Sequence, residues 1–235
     1  MRALFQSSLV KQDTYSIKDD SFHYLANVIR IELKEELLLL NGQGLKILTR
    51  VESINKKEIA LSFLHEETDV RRYTFDLALG MPKKEALELC LKQATELGFR
   101  NIFLVRSDYS QMRAPEAFRI EKLLISALEQ SNSSFLPKVV ESTWESIVWN
   151  DYTRILMLDS QSSSGQLKVK TSFEKPQLLI VGPEGGFSPV ELTALHSKPG
   201  MMIVNLPTPI LRTPTALAVG AGIMLENLRN CSSEG

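Results

Sequence analysis

Leu178-Leu179-Ile180-Val181-Gly182-Pro183-Glu184-Gly185-Gly186-Phe187-Ser188-Pro189-Val190-Glu191 is the stretch whose reading decides the fold. Four consecutive apolar residues, half of them β-branched, run straight into a glycine-rich turn. Such a strand is covered on both faces, as in a parallel sheet. Ligands of open α/β sheets bind at the carboxyl ends of such strands. Three glycines let backbone approach a ligand closely. Ser188 is placed to cap a helix that begins at Pro189, with Glu191 at the reciprocal capping position. The glycine spacing is not that of a dinucleotide fingerprint, and no Lys-Ser or Lys-Thr follows as in a phosphate-binding loop. An ordinary glycine-rich turn before a helix remains the plain alternative.

The pattern around this stretch is consistent with it. Residues 74–79, 101–105, 155–158 and 202–206 read as further short buried strands. Pro82 is placed to open a helix that Gly98 stops, with Leu87, Leu91, Ala94 and Leu97 at helical spacing. Residues 115–129 read as a second helix, with Phe118, Leu123 and Ala127 among its apolar positions. Strands alternating with helices imply a mostly parallel α/β sheet from about residue 71 onward. The segment 159–176, rich in Ser and Lys, reads as a loop.

Residues 1–70 have a different texture. Apolar runs at 37–40, 45–51 and 59–64 are separated by turns, and Asn41-Gly42 is a hairpin signal. One short helix is expected over 21–30. These features predict a small β-barrel, so the domains divide as 1–70 and 71–235.

A second loop carries potential chemistry. Leu206-Pro207-Thr208-Pro209-Ile210-Leu211-Arg212-Thr213-Pro214-Thr215-Ala216 follows a buried strand and leads into an apolar helix over 216–228. Gly220 and Gly222 would let that helix pack closely against the sheet or a partner helix. A helix apolar nearly all round needs cover on more than one side, which suits a homodimer.

Composition excludes several classes. Apolar residues make up 43% and charged residues 23% of 235, as in globular domains. The net charge of -1 does not announce a nucleic-acid partner, although residues 71–138 carry 11 basic and 8 acidic side chains. Cys90 and Cys231 lack metal or redox spacing, and His23, His65 and His196 form no cluster, so no metal is expected. No apolar run reaches the ~20 residues of a bilayer span, and no signal segment is apparent. A cytoplasmic protein away from membranes is expected.

Taken together, the two loops resemble the GPEGG-x-S-x-x-E and ILR-T-x-TA motifs of the knotted SPOUT RNA methyltransferases. The more specific resemblance is to the 16S ribosomal RNA uridine-N3 methyltransferase family, RsmE. Arg2 and Phe5 are similar to its start, and His23-Tyr24-Leu25-Ala26-Asn27-Val28-Ile29-Arg30 to its His-x-x-x-Val-Leu-Arg segment. Asn41-Gly42, Gln93-Ala94-Thr95-Glu96-Leu97-Gly98 and Glu129-Gln130-Ser131 with Pro137 follow in the family's order. The resemblance spans essentially the whole chain.

That resemblance implies a PUA-like barrel that holds RNA and a SPOUT α/β domain with a trefoil knot. It implies S-adenosyl-L-methionine as cofactor, small-subunit rRNA or the 30S subunit as partner, and a homodimer. Carried onto this sequence, Leu158, Gly182, Glu184, Gly185, Leu206, Ile210, Leu211 and Thr213 would bind the cofactor. Arg212 would serve catalysis, and Arg2 and Arg30 would contact RNA. The chain departs from the family at several points. Gln93 stands for Lys, Asn132-Ser133 for Gly-Arg, Pro207 and Pro209 for Gly and Arg, and Pro214 for Glu. These departures keep two alternatives open. One is a divergent SPOUT-fold RNA-binding protein with another target or no transfer activity. The other is an unrelated α/β enzyme holding a nucleotide on 182–186.

Overall fold

The structure, a computed structural model, describes residues 1–71, 74–110, 114–159 and 176–232, with the side chains of 227–232 left undescribed. The loop expected over 159–176 lies almost wholly outside these residues. The chain forms two compact units, one of 1–71 with 125–136 and one of 72–124 with 137–235.

The first unit is a five-stranded sheet ordered β1-β3-β4-β5-β2, which gives the expected barrel the form of a curled half-barrel. Its strands are β1 Arg2–Phe5, β2 Thr14–Ile17, β3 Glu36–Leu40, β4 Leu45–Ile54 and β5 Ile59–Thr68. Strand β1 pairs parallel with β3, and the other pairs are antiparallel. Register shifts at Leu48/Thr49 and Val51/Ser53 bend the long β4–β5 ladder, as bulges do. The inner face buries Leu37, Leu39, Ile47, Val51, Ile59 and Leu61.

Sequence patterning missed β1 and β2, which are four residues long and therefore offer little periodicity. The helix expected over 21–30 is helix α1, Asp19–His23, continued by a π-helical turn, Tyr24–Ile29. Arg30 ends it in the left-handed region, at φ 54°. The last residues of helix α3, Ala117–Ser131, count with this unit, where Leu128 packs with Ala3 and Leu40.

The second unit is a six-stranded, all-parallel sheet ordered β11-β9-β10-β6-β7-β8. The strands are β6 Phe75–Gly80, β7 Asn101–Val105, β8 Lys138–Ser142, β9 Arg154–Leu158, β10 Gln177–Val181 and β11 Met201–Val204. Every residue of β6 and β10 is buried. The helices here are α2 Lys84–Glu96, α4 Pro189–His196 and α5 Thr213–Ser232. Helix α5 packs on α2 and on strands β9 and β10.

Several boundaries differ from the sequence expectation. Pro82 precedes α2 instead of opening it, because Lys83 is still extended and its N–H is taken by the Glu184 carboxylate at 3.1 and 3.2 Å. Leu87, Leu91 and Ala94 are buried as expected, while Leu97 is only half-buried at the helix end. Phe118 is 64% exposed and contributes nothing to a core. Strand β11 ends at Val204, before Leu206. Helix α5 begins at Thr213, three residues earlier than expected. Pro214 is therefore its second residue, where a missing N–H costs no helical bond. Strand β8 was missed, since its half-exposed edge pattern lacks a buried run.

Candidate active site at the carboxyl edge of the parallel sheet

The loops that leave β9, β10 and β11 converge on a cavity of about 290 Å³. All eight residues that the motifs nominated for a cofactor line it. Leu158 comes from the end of β9, and Gly182, Glu184 and Gly185 from the loop after β10. Leu206, Ile210 and Leu211 come from the loop after β11, and Thr213 from the first turn of α5. Val181, Pro183, Phe187 and Thr208 were not singled out from sequence and also line it. The Thr213 hydroxyl donates to the Gly182 carbonyl at 3.2 Å and so ties the two loops together.

Local geometry explains why glycine recurs here. Gly186 sits at φ 72° and its N–H closes a turn onto the Pro183 carbonyl at 2.9 Å. A Cβ on Gly182 would lie 3.0 Å from the Phe187 ring, so glycine there lets the ring close over the backbone. The cap expected at Ser188 is present. The Ser188 hydroxyl accepts from the Glu191 N–H at 3.2 Å, and the Glu191 carboxylate accepts from the Ser188 N–H at 2.8 Å.

Glu191 does more than its sequence position suggests. Its Oε1 also accepts from the Trp144 indole N–H at 2.7 Å and from the Asp108 N–H at 3.1 Å. Burial by itself would raise the pKa of this carboxyl. The donors from Ser188, Trp144 and Asp108 outweigh burial and hold it below the ordinary value. The Ser188 hydroxyl donates in turn to Asp108. Trp144 and Asp108 lie 47 and 83 residues from Glu191 in the chain. No local pattern could have nominated them.

The cavity lining carries the carboxylates of Asp159 and Glu184 and no Lys, Arg or His among the described residues. Leucine, isoleucine, valine and phenylalanine side chains supply apolar walls. Such a lining disfavours a phosphate and suits a ligand that joins an apolar ring to a positive centre. Arg212 is exposed and does not line the cavity, although Leu211 and Thr213 on either side of it do. Its carbonyl accepts the Ala216 N–H at 2.9 Å, which places it at the entrance of α5.

The remaining nominated residues belong to the first unit. Arg2 Nη1 pairs with Glu35 Oε2 at 2.9 Å, so its charge is already partnered. Arg30 is exposed and has no ion pair among the described residues. Also among the described residues, no group of three or more His, Cys, Asp or Glu could hold a metal, and no helix is long and apolar enough to cross a membrane. Cys90 lies on the buried face of α2, where burial, and then the Glu184 charge, push its thiol up to about 12. It is no nucleophile at neutral pH.

Comparison with known proteins completes the site. Residues 70–225 match the family model described as an RNA methyltransferase domain, and residues 17–64 match the RNA methyltransferase PUA domain. The chain belongs to the RNA methyltransferase family. The recognition of RsmE from sequence stands with it. One relative of this methyltransferase is ribosomal RNA small subunit methyltransferase E of Rickettsia conorii. The two are 29% identical over 207 residues, covering 84% of this chain and 83% of the relative. The protein of that name from Bacillus subtilis is 22% identical over 231 residues, covering 91% and 90%. Among solved structures, the Neisseria gonorrhoeae methyltransferase of the same name, bound to S-adenosyl methionine, superposes with a TM-score of 0.82. It is 24% identical and matches 96% of this chain and 97% of that one. At that identity the likeness shows the fold.

Proposed function

We propose that the chain is an S-adenosylmethionine-dependent methyltransferase that modifies N3 of a uridine in the 16S RNA of the small ribosomal subunit. The observation that carries this reading is the cavity, in which both sequence motifs meet and whose lining is acidic and apolar, without a cation among the described residues. When bound, the cofactor supplies a methyl group on a positively charged sulfur.

Leu158, Leu206, Ile210 and Leu211 would enclose the adenosyl part, with the backbone of Gly182 and Gly185 close to it. Thr213 holds the two loops in register. Glu184 spans from the lining to the Lys83 N–H and keeps the glycine loop in place. The uridine N3 must lose its proton and meet the methyl carbon in line, so positioning and stabilisation of the uracil anion supply much of the rate. Arg212, held at the helix entrance outside the cavity, is the cation for that anion. Residues 1–70 would hold RNA, with Arg30, unpaired among the described residues, as the freer contact and Arg2 released from Glu35 on binding. Residues 71–235 would carry the transfer, in a knotted domain and in a homodimer of the cytoplasm.

A second reading has one observation in its favour. Pro209 lines the cavity at the position where the resemblance places an arginine. A changed RNA target, with the same cofactor, would follow from that loss.

The deciding experiment is methyl transfer from labelled cofactor to small subunits that lack base methylation, with the nucleoside identified by mass spectrometry. A 3-methyluridine product that disappears with Arg212→Ala is expected. A different methylated nucleoside would move the assignment to the second reading. No incorporation, with cofactor still bound, would overturn both.

A further inference from the structure

The carboxyl edge of the parallel sheet leaves one aromatic ring uncovered beside the cavity. Tyr109 is 47% exposed. A Cβ on Gly185 would come within 3.0 Å of Tyr109 Cβ and 3.5 Å of its ring atoms, so the ring leans on the bare α-carbon of Gly185. Gly185 itself lines the cavity. One residue's backbone therefore separates an exposed aromatic from the candidate transfer site.

The turn that presents Tyr109 is fixed on both sides. The Asp108 N–H donates to Glu191 at 3.1 Å, and the Ser188 hydroxyl donates to the Asp108 carboxylate. The Ser110 N–H donates to the Ser107 carbonyl at 2.9 Å, and the Ser107 N–H donates to the Ser110 hydroxyl at 3.0 Å. Lys83 and Lys84 at the start of α2, and Arg106 after β7, are all exposed and without an ion pair among the described residues. Lys83 is bonded through its N–H to Glu184, the neighbour of Gly185. The two carboxylates at this place, Asp108 and Glu184, are both engaged by those hydrogen bonds.

We propose that Tyr109 is the platform on which a nucleobase of the RNA strand entering the site stacks, while Lys83, Lys84 and Arg106 attract the phosphates. The inference rests on the reading of the chain as an RNA methyltransferase. Single-stranded RNA is recognised by bases splayed onto aromatic side chains, with cations following the backbone. A ring held by a rigid turn costs little entropy when it receives a base. Tyr109 is a positioning residue, since it orients the strand without touching the reacting atoms.

Tyr109→Ala, Tyr109→Phe and Tyr109→Trp test this in the full chain. The readouts are affinity for a short uridine-containing single-stranded RNA by fluorescence anisotropy, cofactor affinity by calorimetry, and KM and kcat on small subunits. Tyr109→Ala should weaken RNA binding, and raise KM for RNA, by roughly 5- to 150-fold, the range of one lost base stack. Tyr109→Phe and Tyr109→Trp should retain binding, because stacking needs the ring and not the hydroxyl. Cofactor affinity should not change in any of the three. Unchanged RNA affinity in Tyr109→Ala would overturn the proposal. So would a parallel fall in cofactor affinity, which would make the ring a mere prop for Gly185. If the unaltered protein transfers no methyl group to ribosomal RNA, the proposed function fails, and the oligonucleotide affinities still decide the role of Tyr109.

Discussion

The two edges of the parallel sheet are built from the same strands to opposite ends. At the amino edge, Asp76 of β6 is fully buried and accepts five hydrogen bonds among the described residues. Arg100 donates two, at 3.0 and 2.6 Å, the Asn101 backbone and side chain donate at 3.1 Å each, and the Tyr152 hydroxyl donates at 3.0 Å. Burial, and then the Asp76 charge, raise the pKa of the Tyr152 phenol and keep it a donor. At the carboxyl edge, the loops and their glycines line a cavity, and Tyr109 stands exposed. One edge is closed by a buried hydrogen-bonded cluster, and the other frames a cavity with its loops. A parallel sheet permits this because all strand starts gather at one edge and all strand ends at the other.

The largest effect that separates the edges should come from Asp76→Ala. It strands the Arg100 guanidinium and three other donors. Breaking a buried ion pair costs about 3–5 kcal/mol, and the partial exposure of Arg100 reduces this to about 2–3 kcal/mol. Urea unfolding should show that loss, while cofactor affinity of the folded protein stays at the parent value. A fall in cofactor affinity would mean that the edges are coupled.

Glu191→Gln should act the other way. It sets an amide donor against the Ser188 N–H and leaves a buried donor unsatisfied, at about 1–3 kcal/mol. Its mark should be weakened cofactor binding in calorimetry, since the glycine loop leans on this cap. Acid should produce a related effect. The folded Glu191 pKa lies below its ordinary value, so its contribution is present above the unfolded pKa and is lost as pH falls through the folded one. A pH series of urea midpoints below the usual carboxylate range, compared with Glu191→Gln, checks the sign.

The glycines of α5 give the smallest and most local contrast. A Cβ at Gly220 would lie 2.8 Å from Leu179 Cδ1, so Gly220→Ala overpacks the helix–sheet contact and should cost about 1–2 kcal/mol. Nothing lies within 4 Å of such an atom at Gly222, so Gly222→Ala should stabilise by up to about 1 kcal/mol through helix propensity. Thermal melts of the pair measure both signs. Stabilisation by both changes would show that the helix does not press on β10 as described.

Much of this is legible in the sequence. Buried strands announce themselves by apolar runs, since both faces are covered, and β6, β7, β9 and β10 were all readable. The Ser188 cap was readable because helix starts use local spacing, and the eight lining residues followed from the family that the two loops resemble. Strands β1, β2 and β8 were not, because short or edge strands are stabilised by their neighbours and carry little pattern of their own. The start of α5 was misplaced, since Pro214 reads as a breaker until it is seen to occupy the first turn.

The sequence by itself determined the α/β class and the two motif loops, because these depend on spacing along a few consecutive positions; the residues expected to meet a cofactor came from what those loops resemble. Only the tertiary structure decided that Glu191 is held by Trp144 and Asp108, that Arg2 is paired with Glu35, that Arg212 stays outside the cavity and that Tyr109 rests on Gly185. Each of these depends on which distant strand lies beside which. Those orders, β1-β3-β4-β5-β2 and β11-β9-β10-β6-β7-β8, are set by burying each whole sheet at once, and no single stretch of the chain contains them.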